Sequence, residues 1–198
     1  MDDIARHAEY SKTTIYNYFG SKEELISYLI FEGVEFFQTK LLEDAERSRN
    51  FAEFYRHFCQ SISEIHTKYP LYYDGIIGAA PFDERAQLSD INKKIYISNE
   101  GINEVFEEQA AKAMTAKEIH LDGDITASIL FMKFCIMGMV EKIALNEAYI
   151  SYKLGRTKEE FLEFAFKKFF TLFGTPPNAP ECPQEQVPPK QPLPKKHS

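Results

Sequence analysis

The spacing of apolar residues constrains this chain more than any other feature. In FAEFYRHFCQSISEIHTKY, Phe51, Phe54, Tyr55, Phe58, Cys59, Ile62 and Ile65 recur every three or four positions. That is the repeat of one face of an α-helix. Leu25, Ile26, Leu29, Ile30, Val34, Phe37 and Leu41 carry it earlier, and Leu88, Ile91, Ile95, Ile102 and Val105 later, with Gly101 a weak point. No stretch alternates apolar and polar residues long enough for a strand. The expected fold is all-α.

Punctuation agrees with the repeat. Ser21 followed by Glu24, and Thr157 followed by Glu160, are capping-box patterns. Ser11 can cap a helix that begins at Lys12. Pro70 suits the first turn of PLYYDGIIGAA, Pro81 breaks the middle of the chain, and Gly155 suits a helix terminator. Past Gly174 the repeat stops. TPPNAPECPQEQVPPKQPLPKKHS is rich in proline, glutamine and lysine, and too poor in apolar residues to offset ordering entropy. A disordered tail is expected over 174–198.

Composition removes several function classes. The formal net charge is -7, which argues against broad, sequence-independent attraction to nucleic acid but leaves room for a small contact face. Cys59, Cys135 and Cys182 lie far apart with no CxxC, so reduced thiols and a cytoplasmic location are expected. His7, His57, His66, His120 and His197 lack HxxxH or HxxE spacing, so no metal site is expected. The most apolar run, ILFMKFCIMGMV (Ile129–Val140), is too short to span a bilayer and is interrupted by Lys133. A membrane partner is not expected. No nucleophile–base pair, paired catalytic carboxylates or glycine-rich phosphate loop is present, so neither enzyme activity nor a cofactor is expected.

The first 25 residues, MDDIARHAEYSKTTIYNYFGSKEEL, read as two short helices, a tight turn between them, and the start of a third. Ile4, Ala5 and Ala8 share one face of the first. Ile15 and Phe19 share the buried side of the second. Lys12, Thr13, Thr14, Tyr16, Asn17 and Tyr18 fall largely on its other side. This is a helix-turn-helix pattern. Hydroxyls, an amide and a lysine suit phosphates and base edges of a major groove, and Lys22 adds a point charge for phosphate. The same tyrosines also fit the edges of an ordinary amphipathic core.

The ordered run Ile-Ala, turn, Ser-Lys-x-Thr-Ile-Tyr-x-Tyr-Phe, Ser-Lys-Glu-Glu-Leu resembles the DNA-binding segment of the tetracycline-repressor-like (TetR) family. The resemblance implies DNA contacts by Thr14, Tyr16 and Lys22, the latter two through phosphate. It implies base or backbone contacts by Lys12, Thr13, Asn17 and Tyr18. It further implies a reader over 1–30 and a helical effector-binding and dimerisation domain over 31–173. The chain departs from the pattern in two ways. Glu9 stands where the family places a glycine, and the family has a complete helix before this unit.

The body carries two further expectations. One long helix is read over Asp124–Leu154 and another over Lys158–Phe173, both apolar on more than one side. A helix with two apolar faces is either central to its own core or shared with a partner. Expected homodimer contacts are Met132, Ile136, Met139, Ile143, Phe161, Phe166, Phe169 and Phe173, and the resemblance places pairing on these last helices. An aromatic-rich middle suits either a plain core or a cavity. The resemblance implies a pocket for an apolar or aromatic small-molecule inducer, with Phe58, Tyr72, Tyr73, Tyr96, Phe106 and Met132 as its candidate lining. The expected function is a ligand-responsive DNA-binding regulator, a repressor that binds a palindromic operator on double-stranded DNA as a homodimer. The alternative is a dimeric helical small-molecule-binding protein that has lost DNA binding through N-terminal truncation.

Overall fold

A computed structural model describes residues 1–77, 89–121 and 123–172. Nine α-helices form among them, with no strand: α1 Asp2–His7, α2 Lys12–Tyr18, α3 Lys22–Arg47, α4 Phe51–Lys68, α5 Pro70–Ile77, α6 Asp90–Thr115, α7 Ile125–Leu145, α8 Glu147–Leu154 and α9 Lys158–Leu172. The fold is all-α. Pro81, Phe82, Leu88, Phe173 and the expected tail over 174–198 lie outside the described residues.

Short polar side chains set the helix starts by accepting from amides that have no carbonyl partner within the helix. Ser11 Oγ accepts from the Thr14 amide and Ser21 Oγ from the Glu24 amide, each at 3.0 Å. Asn50 caps α4 through the Glu53 amide at 2.9 Å, and Asp124 caps α7 through the Ala127 amide at 3.2 Å. The Thr157 box closes both ways. The Glu160 amide donates to Thr157 Oγ1 at 3.2 Å, and the Thr157 amide donates to Glu160 Oε2 at 2.8 Å. At Ser21 only half of the expected box forms, because Glu24 instead accepts from the Gly20 amide at 2.7 Å.

Three boundaries differ from expectation. The helix expected over Asp124–Leu154 is broken at Asn146, with φ -110° and ψ 17°. The Asn146 side-chain amide donates to the Lys142 carbonyl at 2.7 Å and displaces the backbone amide, which donates to Ile143 at 3.2 Å. Asparagine competes with its own helix in this way. Gly101 does not interrupt α6. The boundary expected between residues 30 and 31 falls inside α3, which runs unbroken from the N-terminal unit into the body.

Helices α3, α4, α6 and α7 enclose the core. Phe37, Phe54, Phe58, Phe106, Ile62, Ile95, Ile102, Met132 and Ile136 are fully buried there. Phe106 receives Phe58 edge-on at 4.9 Å and Phe54 at 5.3 Å, the geometry that aromatic quadrupoles favour. Helices α3 and α5 approach closely at two glycines. A Cβ on Gly33 would lie 3.0 Å from Tyr72 Cα, and one on Gly75 would lie 3.2 Å from Ile30 Cα. A buried Asp44 joins α3 to α4 by accepting from Ser61 Oγ at 2.7 Å and from Arg47.

Candidate nucleic-acid interface and internal cavity

Helices α1 and α2 pack on each other through Ala5 and Ile15, the two residues of the unit that are buried. Phe19 meets Tyr28 of α3 edge-on at 5.6 Å and fixes the end of α2 to the body. Ile4 and Ala8, expected on the same buried face as Ala5, are exposed instead, since α2 covers only the Ala5 side. The turn is a Schellman closure. The Tyr10 amide donates to the Ala5 carbonyl at 2.9 Å and the Glu9 amide to the Arg6 carbonyl at 3.3 Å. Glu9 occupies the left-handed position of that motif, with φ 58°. The position favours glycine because a Cβ crowds the carbonyl there.

The face of α2 opposite Ile15 presents Lys12, Thr13, Tyr16, Asn17 and Tyr18, all exposed, with Tyr18 the most open at 76%. Thr14 is half-buried, its hydroxyl 2.7 Å from Ser11 Oγ. Lys22 is exposed in the first turn of α3. Two of the unit's three cations are already paired. Lys12 Nζ lies 2.8 Å from Asp2 Oδ1, and Arg6 contacts Asp3. The hydrogen bond between them holds the Asp2 carboxyl below, and the Lys12 ammonium above, its ordinary value.

A cavity of about 540 Å³ lies between α3, α5, α6 and α7. Its apolar wall includes Phe37, Ile76, Ile77, Ile95, Leu130 and Met137, and its polar wall Asn92, Tyr96, Asn99, Asn103 and Lys133. Lys133 is buried, at 8% exposure. Its Nζ donates to Asn103 Oδ1 at 2.6 Å and stands 5.8 Å from the centre of the Phe106 ring. Burial pushes its pKa down to about 8, against a weaker upward pull from Glu100.

Of the expected pocket residues, Tyr96 lines this cavity. Phe58, Phe106 and Met132 do not, because they fill the core completely. Tyr73 is buried, and its hydroxyl donates to the Met137 carbonyl at 2.6 Å. Tyr72 packs among Phe36 and Tyr69 on the far side of α5, with ring centroids 5.8 Å away in each case. Phe58 and Phe106 pack against each other in the core, and the aromatics that reach the void are Phe37, Tyr96 and Phe134. Sequence reasoning missed Lys133, Asn92, Asn99 and Asn103. The available signal was the lysine that interrupts the apolar run Ile129–Val140.

The expected dimer residues divide by burial. Met132, Ile136 and Ile143 face inward and are buried within the chain's own core, which removes them from any outer face. Met139, Phe161, Phe166 and Phe169 are partly buried against that core. The outward face of α7 carries Phe131 at 58%, Phe134 at 67% and Leu145 at 70% exposure. Phe131 meets Phe169 of α9 with centroids 6.2 Å apart, so the two helices share one apolar surface. Among the described residues no helix is long and apolar enough to cross a membrane, and no group of three or more metal-ligating side chains occurs.

Residues 1–29 match the family described as "Bacterial regulatory proteins, tetR family". Among curated proteins no sequence match is found. Several solved structures share the fold. The fatty acid degradation regulator FadR from Bacillus halodurans is 13% identical, with a TM-score of 0.61 and coverage of 84% of each chain. The transcriptional regulator FadR from Bacillus subtilis, solved with stearoyl-CoA, is 16% identical, with a TM-score of 0.59 over 86% of this chain and 84% of that one. AibR, solved with isovaleryl coenzyme A and operator DNA, is 18% identical, with a TM-score of 0.57 over 84% of each chain.

Proposed function

We infer that this chain, whose residues 1–29 match the tetR family of bacterial regulatory proteins, is a cytoplasmic transcriptional repressor that binds a palindromic operator as a homodimer and releases it when a small molecule enters the cavity. The observation that carries the reading is the division of α2. Ile15 is buried toward α1, while Lys12, Thr13, Tyr16, Asn17 and Tyr18 are exposed on the opposite face. Tyr16 and Lys22 supply phosphate contacts that set register, and Thr13, Asn17 and Tyr18 reach base edges.

The helices supply a route between the two sites. Helix α3 begins at Lys22 beside the reader and continues into the body. Helix α5 presses on α3 where Tyr72 meets Gly33 and Ile30 meets Gly75. The last residues of α5, Ile76 and Ile77, form part of the cavity wall. A ligand that displaces α5 therefore displaces α3, and with it the spacing of two readers in a dimer. DNA and ligand then oppose each other through a reciprocal coupling free energy. Two proteins of this fold are described with acyl-CoA ligands, and the cavity's aliphatic lining suits an apolar chain or ring. The exposed α7 face at Phe131 and Leu145, continuous with α9, supplies the twofold contact.

Fluorescence anisotropy on the DNA upstream of the chain's own gene tests the reading. Tyr16→Ala is expected to weaken binding roughly tenfold, the scale of a hydrogen bond to a charged group. Unchanged affinity in that variant removes α2 as the reader.

A further inference from the structure

We infer that Lys133 is the anchor for a carboxylate, so that the molecule occupying the cavity is an amphipathic carboxylic acid whose apolar body lies along Phe37, Ile76, Ile95 and Leu130. The inference rests on the reading of this cavity as the effector site and adds the chemical class of the effector.

Three observations carry it. First, Lys133 is buried, yet among the described residues no carboxylate lies within ion-pairing distance of it. Glu100 acts on it only at longer range, and a buried cation without a direct ion pair is costly. Second, the ammonium has three donors. One is used on Asn103 Oδ1 at 2.6 Å, and the face of Phe106 stabilises the charge at 5.8 Å without accepting a conventional hydrogen bond. Asn103 is held in turn by donating to Glu100 Oε1 at 3.4 Å. This leaves the lysine oriented, with donors to spare, on the wall of a cavity. Third, among the described residues Lys133 is the one cation on that wall, which also carries the apolar side chains of Phe37, Ile76, Ile95 and Leu130. A head that accepts hydrogen bonds and carries negative charge, joined to a hydrocarbon body, matches both halves. A thioester or alcohol head brings no charge to Lys133.

The titratable groups on the wall besides Lys133 are Tyr96 and Glu100 on α6 and Glu141 on α7. Helices α3 and α5 contribute Phe37, Ile76 and Ile77, and α4 contributes none. Glu100 is exposed, and the half-buried Glu141 accepts from Lys142 at 3.2 Å, so neither acid is ion-paired with Lys133. Lys133 loses its proton more readily than an ordinary lysine because it is buried. Carboxylate binding is therefore strongest where the lysine is charged and weakens as pH rises through about 8.

Isothermal titration calorimetry of the full chain with decanoate, decanol and decanoyl-CoA tests the inference. At pH 7 decanoate is expected to bind at one site at least about tenfold more tightly than decanol. Its affinity is expected to fall roughly tenfold by pH 9, while that of decanol stays constant. In Lys133→Met the two ligands should bind alike. Equal binding of decanoate and decanol by the unaltered chain at pH 7, or decanoate affinity that is flat to pH 9, overturns the inference without recourse to the variant. Binding of decanoyl-CoA alone, unaffected by Lys133→Met, overturns the carboxylate and leaves the regulatory reading standing. Binding of none of the three overturns both.

Discussion

Lys12 Nζ lies 2.8 Å from Asp2 Oδ1, so the cation at the start of α2 is held by the first turn of α1. Both side chains are exposed, and the pair must open before Lys12 can meet a phosphate. Asp2→Asn is expected to strengthen DNA binding, and to steepen the dependence of log affinity on log salt by about one as Lys12 becomes an additional phosphate contact. Titrations at several salt concentrations read this slope. An unchanged slope would mean that Lys12 does not reach the backbone.

Glu9 holds the left-handed position of the turn at φ 58°. Glu9→Gly removes a conformational cost of roughly 1–2 kcal/mol and adds an unfolded-state entropy cost of roughly 0.5–1 kcal/mol. A small net gain results. Amide hydrogen exchange at Tyr10, whose amide closes the turn onto Ala5, should slow by about threefold. Faster exchange would show that the Glu9 side chain stabilises the turn.

The pKa of Lys133 is about 8, against an ordinary 10.5. Between those values the unfolded chain binds more protons than the folded one, so stability contributed by this group rises with pH across that window. Below it, folding bears the cost of burying the charge. Lys133→Met is expected to raise unfolding free energy at pH 7 by about 2–3 kcal/mol, with the gain shrinking toward pH 10. Urea denaturation at the two pH values reads the difference. A loss of stability at pH 7 would mean that the bond to Asn103 outweighs the desolvation.

Phe131 is 58% exposed on α7 and packs beside Phe169 of α9. Phe131→Arg places a charge in the proposed twofold contact while leaving the inward face of α7 intact. Sedimentation equilibrium should show a shift from dimer toward monomer mass. A variant that stays fully dimeric moves the interface to another surface.

The N-terminal helix-turn-helix and most helices were legible in the sequence, because both depend on local rules. Three-to-four spacing located α3, α4 and α6, and single side chains at Ser11, Ser21 and Thr157 located helix starts. What stayed hidden depends on three-dimensional competition. Helix α7 is apolar almost all round, so spacing could not say that Met132 and Ile136 face inward while Phe131 and Phe134 face outward. The break at Asn146 turns on one side-chain hydrogen bond to Lys142, in a segment whose apolar pattern continues past it. The cavity wall was misread because aromatic residues suggest a pocket, yet Phe58 and Phe106 pack too well to border one. Lys133 was visible throughout as an interruption, but only its burial beside Asn103 gives that interruption a meaning.

The central claim is that this chain reads DNA sequence through α2. Selection of a random double-stranded library by the full chain tests it most directly. Enrichment of a twofold-symmetric motif is predicted, with half-sites about one helical turn (~34 Å) or a multiple of it apart. The enrichment should disappear when Tyr16→Ala and Lys22→Ala are combined. A selected pool with no motif, or the same motif recovered by the double variant, would contradict the account.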